Sequence, residues 1–274
     1  MSDRNIKLTV AYDGTDFLGW QLQKKGRTVQ GVMQEGLGRM HGHPVHVLAA
    51  GRTDSGVHAT GQVANFHTDL DSIAPERFRD AINSYLPRDV RVLASEEAGP
   101  RFHARRSARL RVYRYYIVNG PVLLPHLRNY RHWVRRPLAI AGLNEMASVL
   151  VGEHDFSCFS AEGDANLSKV RQVLVSSFHA EGDTLIYTIA ATSFLWKMVR
   201  AVMGTFLMLE EQGLGAPDLR RIIESGLRSN AGATAPARGL FLERVLYEEV
   251  DGIPAGSLEG AEPSAGLREH GILP

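Results

Sequence analysis

Apolar residues two apart, followed by apolar residues at helical spacing, occur in similar order in both halves of the chain, and this ordering limits the fold more than any single motif. Near the start, "IKLTVAYDG" puts Ile6, Leu8 and Val10 on one face of a half-buried strand that ends at an Asp-Gly turn. "TVQGVMQEGLGRM" then places Val29, Val32, Met33, Leu37 and Met40 at helical spacing, with Thr28 as N-cap. Two strands are expected in "HPVHVLAAG" and "GQVANFHTDL", and a helix in "APERFRDAINSYL" with Pro75 at its first position. The second half offers a strand in "RVYRYYIV", a helix in "AIAGLNEMASVLVG", and two strands around a polar turn in "QVLVSSFHAEGDTLIYTIAATS". A long apolar helix over "FLWKMVRAVMGTFLMLEEQG", a shorter one over "APDLRRIIESGL" and a closing strand in "GLFLERVLYEE" complete it. The expected architecture is mixed α/β (α+β). Two related lobes, residues 1–105 and 106–250, form a continuous, mostly antiparallel sheet flanked by helices, with a cleft between them. After Val250 the composition turns to Gly, Pro, Ser and Ala, so residues 251–274 are expected to be a loosely ordered tail.

At 274 residues and 44% hydrophobic content the chain can bury an ample core. Neither a signal peptide nor a membrane-spanning segment is expected, because no apolar run approaches the roughly 20 residues a bilayer requires. The single cysteine, Cys158, excludes an internal disulfide and a Cys-based zinc cluster within the chain, and suits a reducing cytosol. His41, His43 and His46 lie close together without an acidic or Cys partner that would complete a ligand set. His58, His67, His103 and His154 read as local hydrogen-bonding residues. No Gly-x-Ser-x-Gly elbow, phosphate-binding Gly-Lys loop or dinucleotide fingerprint is present. What remains is a reaction without metal or organic cofactor.

Charge is balanced overall at +1, yet its distribution is uneven. From Arg101 to Arg136 there are ten arginines and no Asp or Glu, interleaved with Tyr113, Tyr115, Tyr116, Tyr130 and Trp133. All ten are Arg rather than Lys, which suits bidentate contacts to phosphate and stacking on bases. A polyanion partner is therefore expected, unless counter-charges elsewhere in the fold neutralise the block.

The carboxylate with most chemical interest is Asp54, in "GRTDSGVHATGQ". Ser and Gly around it are ordinary turn formers, so this stretch reads first as a connection between strands. Asp13 and Asp16 in "YDGTDFLGWQLQ" invite an acid–base pair, but an Asp-Gly turn is preferred for Asp13, and Trp20, Gln21 and Gln23 are candidates to face a nucleic acid. Tyr113 offers a phenol able to stack or exchange a proton. Arg200 lies in an otherwise apolar helix, and a buried arginine requires a carboxylate partner. The residues alone leave that partner open.

The combination "AYDGTDFLGWQLQ", "TVQG", "GRTDSGVHATGQVANF", "LPRDVRV", "FHARRSARLRVYRYYI", "GEHDFSCFS", "FLWKMVRAVMG" and "APARGLFLERVLY", in this order, closely resembles the tRNA pseudouridine synthase A family. The match runs from about residue 6 to residue 247. It implies the pseudouridine synthase fold and isomerisation of uridine to pseudouridine at positions 38, 39 and 40 of the tRNA anticodon stem-loop. No metal or organic cofactor is implied, and the working form is a cytoplasmic homodimer. The resemblance further implies that Asp54 is the nucleophile, that Tyr113 stacks on the target base and can act as a base, and that Arg200 pairs with Asp54. Leu240 would pack against the uracil, and Arg52 would hold the flipped nucleotide. Arg101, Arg105, Arg106, Arg109 and Arg111 are the candidates for gripping the RNA. Three stretches depart from the pattern: "AEGDANLSKVRQV" is looser than usual, Trp196 sits where family helices vary, and the tail has no counterpart. An inactive RNA-binding homologue, or a member acting at another RNA position, are the alternatives.

Overall fold

A computed structural model of the chain describes residues 4–247, so the expected tail at 251–274 lies outside the described residues. Alternating burial builds the sheet. In β1 (Arg4–Tyr12), Ile6, Leu8 and Val10 are fully buried, and the strand lies between β3 (His58–Thr68) and β4 (Val90–Ala98). With β2 (Leu48–Ala49), β5 (Leu110–Asn119), β6 (His132–Val134), β7 (Gly152–Asp155), β8 (Val170–Glu181), β9 (Thr184–Ala191) and β10 (Leu240–Leu246), ten strands form one sheet. Its order is β4-β1-β3-β10-β5-β9-β8-β7, with β2 on β3 and β6 on β5. Strands from the first half of the chain occupy one side and those from the second half the other. The exception is β10, the last strand, which returns to the seam, pairing parallel with β3 and antiparallel with β5. Apart from β10 with β3 and β5 with β6, the pairings are antiparallel. The sheet is therefore continuous and mostly antiparallel.

Five α-helices flank it: α1 (Val29–His41), α2 (Phe78–Asn83), α3 (Ile140–Ser148), α4 (Met198–Glu211) and α5 (Ala216–Ser225). Their buried residues join one core with Tyr113, Tyr115 and Ile117 of β5, whereas Leu110 and Val112 meet Val175 and Ala190 in a small separate cluster. The side chains of Tyr113 and Tyr115 thus share the helix-covered core. Thr28 caps α1 as expected, accepting from Gly31 N–H.

Several elements differ from expectation for identifiable reasons. "HPVHVLAAG" forms only the two-residue β2, because glutamines of α1 take its backbone groups. Gln30 Nε2 donates to Val47 O, and Val47 N–H donates to Gln34 Oε1. Strand β4 was not anticipated, although Val90 and Val92 alternate within it. The long apolar helix begins only at Met198, because Lys197 adopts the left-handed conformation (φ 61°, ψ 8°).

Candidate active site

Asp54 lies on the connection 50–57 that leads into β3, and the turn after β1 packs flush against it. Trp20 N–H donates to Thr53 O (3.1 Å), while Gly56 N–H and Ser55 Oγ both donate to Phe17 O (3.2 Å each). Val57 N–H closes the turn on Asp54 O (3.1 Å), and Tyr12 Oη shares a hydrogen bond with Thr53 Oγ1 (2.8 Å). A Cβ at Gly14 would lie 2.1 Å from Val57 O, and one at Gly19 would lie 2.4 Å from Thr53 O at a φ of +92°. Only glycine permits both that approach and that dihedral. The same contacts bury Trp20 against Tyr12, ring centroids 5.9 Å apart, so Trp20 is core and does not face a ligand. Gln21 and Gln23 are likewise engaged, by Gln30 Oε1 and Leu18 O.

Asp13 is a turn residue. Its Oδ1 accepts from Thr15 N–H and Oγ1, and its Oδ2 accepts from Tyr130 Oη at 2.7 Å. His58 Nδ1 is also 3.2 Å from Asp13 Oδ1, a distance that suits an ion pair. The ring is nonetheless neutral: Nδ1 accepts from Gly14 N–H (2.9 Å), Nε2 donates to Asn129 O (2.9 Å), and burial depresses the imidazole pKa. His41 is held by Leu37 O and Thr68 Oγ1. Among the described residues no group of three His, Cys, Asp or Glu side chains is placed to hold a metal ion.

Arg200, in the first turn of α4, reaches this loop. Its Nη1 lies 3.1 Å from Asp54 Oδ2, its Nε donates to Ala235 O (2.8 Å), and Ala235 N–H returns a bond to Arg200 O (3.0 Å). The pair is largely buried, at 15% and 18% side-chain exposure, so each charge needs the other. The segment carrying Ala235 is pressed onto α4 by small residues. A Cβ at Gly204 would fall 1.7 Å from Ala233 O, and Thr205 Oγ1 accepts from Gly232 N–H at 2.8 Å.

Beyond Ala235, Tyr115 Oη donates to Pro236 O (2.8 Å), and Gly239 passes so close to the Tyr115 ring that a Cβ would meet it at 2.8 Å. This path delivers Leu240, 4% exposed, to the start of β10 opposite Tyr115. Tyr113 lies two residues back on β5, opposite Leu242, with its ring edge-on to Phe194 at 5.0 Å. Burial, the neighbouring Tyr12 and the charge of Asp54 raise its pKa above the usual phenol value, so Tyr113 is held protonated. Asp54, Arg200, Tyr113 and Leu240, drawn from both halves of the chain, therefore surround one cleft. Phe194, the Ala235 carbonyl and the Tyr12–Thr53 pair join them unannounced. Phe194 had no signal beyond an apolar side chain, and a backbone carbonyl has none.

The arginines divide. Arg52 is exposed beside Asp54, with no side-chain hydrogen bond or ion pair to another described residue. Arg101, Arg105, Arg106 and Arg109 are exposed, and the backbone beneath them is pinned: Ala104 N–H donates to Asn65 Oδ1 and Ala104 O accepts from Tyr247 Oη. Arg111 differs. Its two Nη atoms donate to Ala50, Arg105, Ala108 and Thr192 carbonyls, making it a tie between the Asp54 loop and the turn after β9. Further along, Arg136 pairs with Glu210, and Arg114 lies 3.8 Å from Glu243. The uniform basic block of the sequence is thus partly neutralised.

The family model described as tRNA pseudouridine synthase matches residues 8–105 and 146–248. Curated relatives named tRNA pseudouridine synthase A align over nearly the whole chain. The Treponema denticola protein is 47% identical over 253 residues, 90% of this chain and 94% of the relative. That of Ruminiclostridium cellulolyticum is 41% identical over 245 residues, and that of Thermoanaerobacter sp. 39% over 244, each covering 89% of this chain and 100% of the relative.

Proposed function

The chain belongs to the tRNA pseudouridine synthase family, an isomerase family acting on tRNA, and we propose that it converts uridine to pseudouridine at positions 38, 39 and 40 of the anticodon stem-loop. The observation that carries this reading is the buried Asp54–Arg200 pair at 3.1 Å, with Tyr113 and Leu240 around the same cleft. Pseudouridylation breaks the C1′–N1 bond, turns the freed uracil and rejoins it through C5, with loss of the C5 proton. Asp54 is the nucleophile: its carboxylate attacks C1′ to form a sugar ester as uracil leaves with the bonding electrons. The alternative use of the same carboxylate is removal of the 2′ proton to give a glycal. Arg200 stabilises the ionised carboxylate in a cleft that excludes water, without which hydrolysis of the intermediate would compete. Tyr113 stacks on the uracil as a neutral phenol, and the raised pKa argues against a free phenolate as the C5 base. Leu240 packs against the ring, and Arg52 receives the flipped nucleotide's phosphate.

The tRNA is gripped through its backbone by Arg101, Arg105, Arg106 and Arg109, while Arg111 holds the catalytic loop in place. Residues 1–105 and 106–250 are the two lobes of this reading, and the working form is a cytoplasmic homodimer. Release of tritium from tRNA carrying 5-tritiated uridine, for wild type beside Asp54→Ala, tests the proposal. Wild type should release one tritium per pseudouridine and the variant essentially none. A wild type that binds tRNA but releases none would identify an inactive homologue. Product mapped outside the anticodon stem-loop would identify a different target.

A further inference from the structure

Of the three tryptophans, Trp20 is buried and Trp133 half-buried with its Nε1 donating to Gly120 O, whereas Trp196 is 48% exposed. The Trp196 backbone is nevertheless fixed. Its N–H donates to Asp164 Oδ2 (2.7 Å) and its carbonyl accepts from Ala161 N–H (3.0 Å). Asp164 is itself buried, with its side chain 1% exposed, and also accepts from Asn166 N–H and Nδ2 and pairs with Lys169 at 3.2 Å. These donors hold its carboxyl well below the usual carboxylate range. Two stretches that departed from the family pattern, 161–169 and Trp196, are therefore one structural unit.

Lys197, the only non-glycine residue with positive φ among those described, places its Nζ 4.9 Å from the Trp196 ring centroid. It covers one face of the indole. The ring stands two residues after Phe194, which meets Tyr113, and four before Arg200, which meets Asp54. That places it at the mouth of the cleft. Hydrophobicity favours burying an indole, and a left-handed lysine is strained, so the fold alone gives neither feature a reason.

We propose that Trp196 is a stacking platform for an unpaired RNA base adjacent to the nucleotide held in the cleft. The inference rests on the reading of this chain as an enzyme acting on tRNA. Flipping a nucleotide out of a stack leaves its neighbours without a partner. An aromatic ring fixed at the cleft mouth replaces that partner without reading base identity, because every base has a π-face.

The test compares wild type, Trp196→Ala and Trp196→Phe on an unmodified tRNA transcript, measuring Kd, KM, kcat and tryptophan fluorescence. Trp196→Ala should raise Kd and KM about 5- to 150-fold, the range for one stacked base, with a smaller change in kcat and an unchanged Tm. Trp196→Phe should recover most of the loss. tRNA should quench wild-type fluorescence, and that quenching should disappear in Trp196→Phe. If Trp196→Ala binds and turns over tRNA like wild type, or Phe rescues nothing, the platform is wrong while the enzyme reading stands. If wild type neither binds nor converts tRNA, the enzyme reading itself fails.

Discussion

The loop carrying Asp54 is gripped by the turn at 13–20 through several backbone bonds and by glycines with no room for a Cβ, whereas Trp196 across the cleft hangs from two backbone bonds and shows its ring to solvent. The difference follows from what each must do. A carboxylate that attacks one carbon must stand in one place, and misplacement of an ångström costs orders of magnitude in rate. A surface meeting different RNA loops gains from a ring that tolerates any base. Rigidity is spent at the floor of the cleft, and adaptability is left at its mouth.

The comparison predicts that floor substitutions damage catalysis or folding, while mouth substitutions affect only binding. The largest effect is expected for Asp54→Asn, which keeps the turn and the contact surface but removes the nucleophile. Tritium release should fall by roughly 10³-fold or more with tRNA affinity within about threefold of wild type. Near-normal turnover would return Asp54 to the status of a turn residue.

Next is Gly19→Ala, where a Cβ meets Thr53 O at 2.4 Å and φ is +92°. The strain should destabilise the fold by about 2–4 kcal/mol, lowering Tm by roughly 5–15 °C. A Tm equal to that of Trp196→Ala would erase the contrast between floor and mouth.

The smallest effect concerns His132, which packs edge-on to Tyr115 behind the floor. Burial and the nearby Arg238 push its pKa down from 6.5 to about 4. The fold prefers the neutral ring, so the unfolded chain takes up the proton first as pH falls. Its contribution to stability is complete above pH 6.5 and is lost between there and about pH 4. His132→Phe keeps an aromatic ring and should flatten the fall in Tm between pH 7 and 4.5. Parallel curves for wild type and variant would remove His132 from that account.

Much of this was legible in the chain. Alternation in β1 and in β5, helical spacing in α1, and the Thr28 cap are local features that the sequence states outright. Asp54, Tyr113, Arg200 and Leu240 were all identified beforehand, through motifs in combination, and the structure brings them to one cleft. Other features were hidden because they depend on partners far along the chain. Strand β2 was cut short by glutamines of α1, and Trp20, expected at a ligand, was drawn into the core beside Tyr12. Arg111 looked like its neighbours Arg106 and Arg109, yet its guanidinium lies among four carbonyls and theirs face solvent.

Sequence by itself determined the order of strands and helices, the carboxylate and the family, because periodicity and motif spacing are properties of neighbouring residues. Only the tertiary structure decided that Arg200 meets Asp54 across 146 residues, that β10 closes the seam between the halves, and that Trp196 stands at the mouth of the cleft. Those outcomes depend on which strands pair and which backbone groups remain to be satisfied, and both are settled only when the whole sheet assembles.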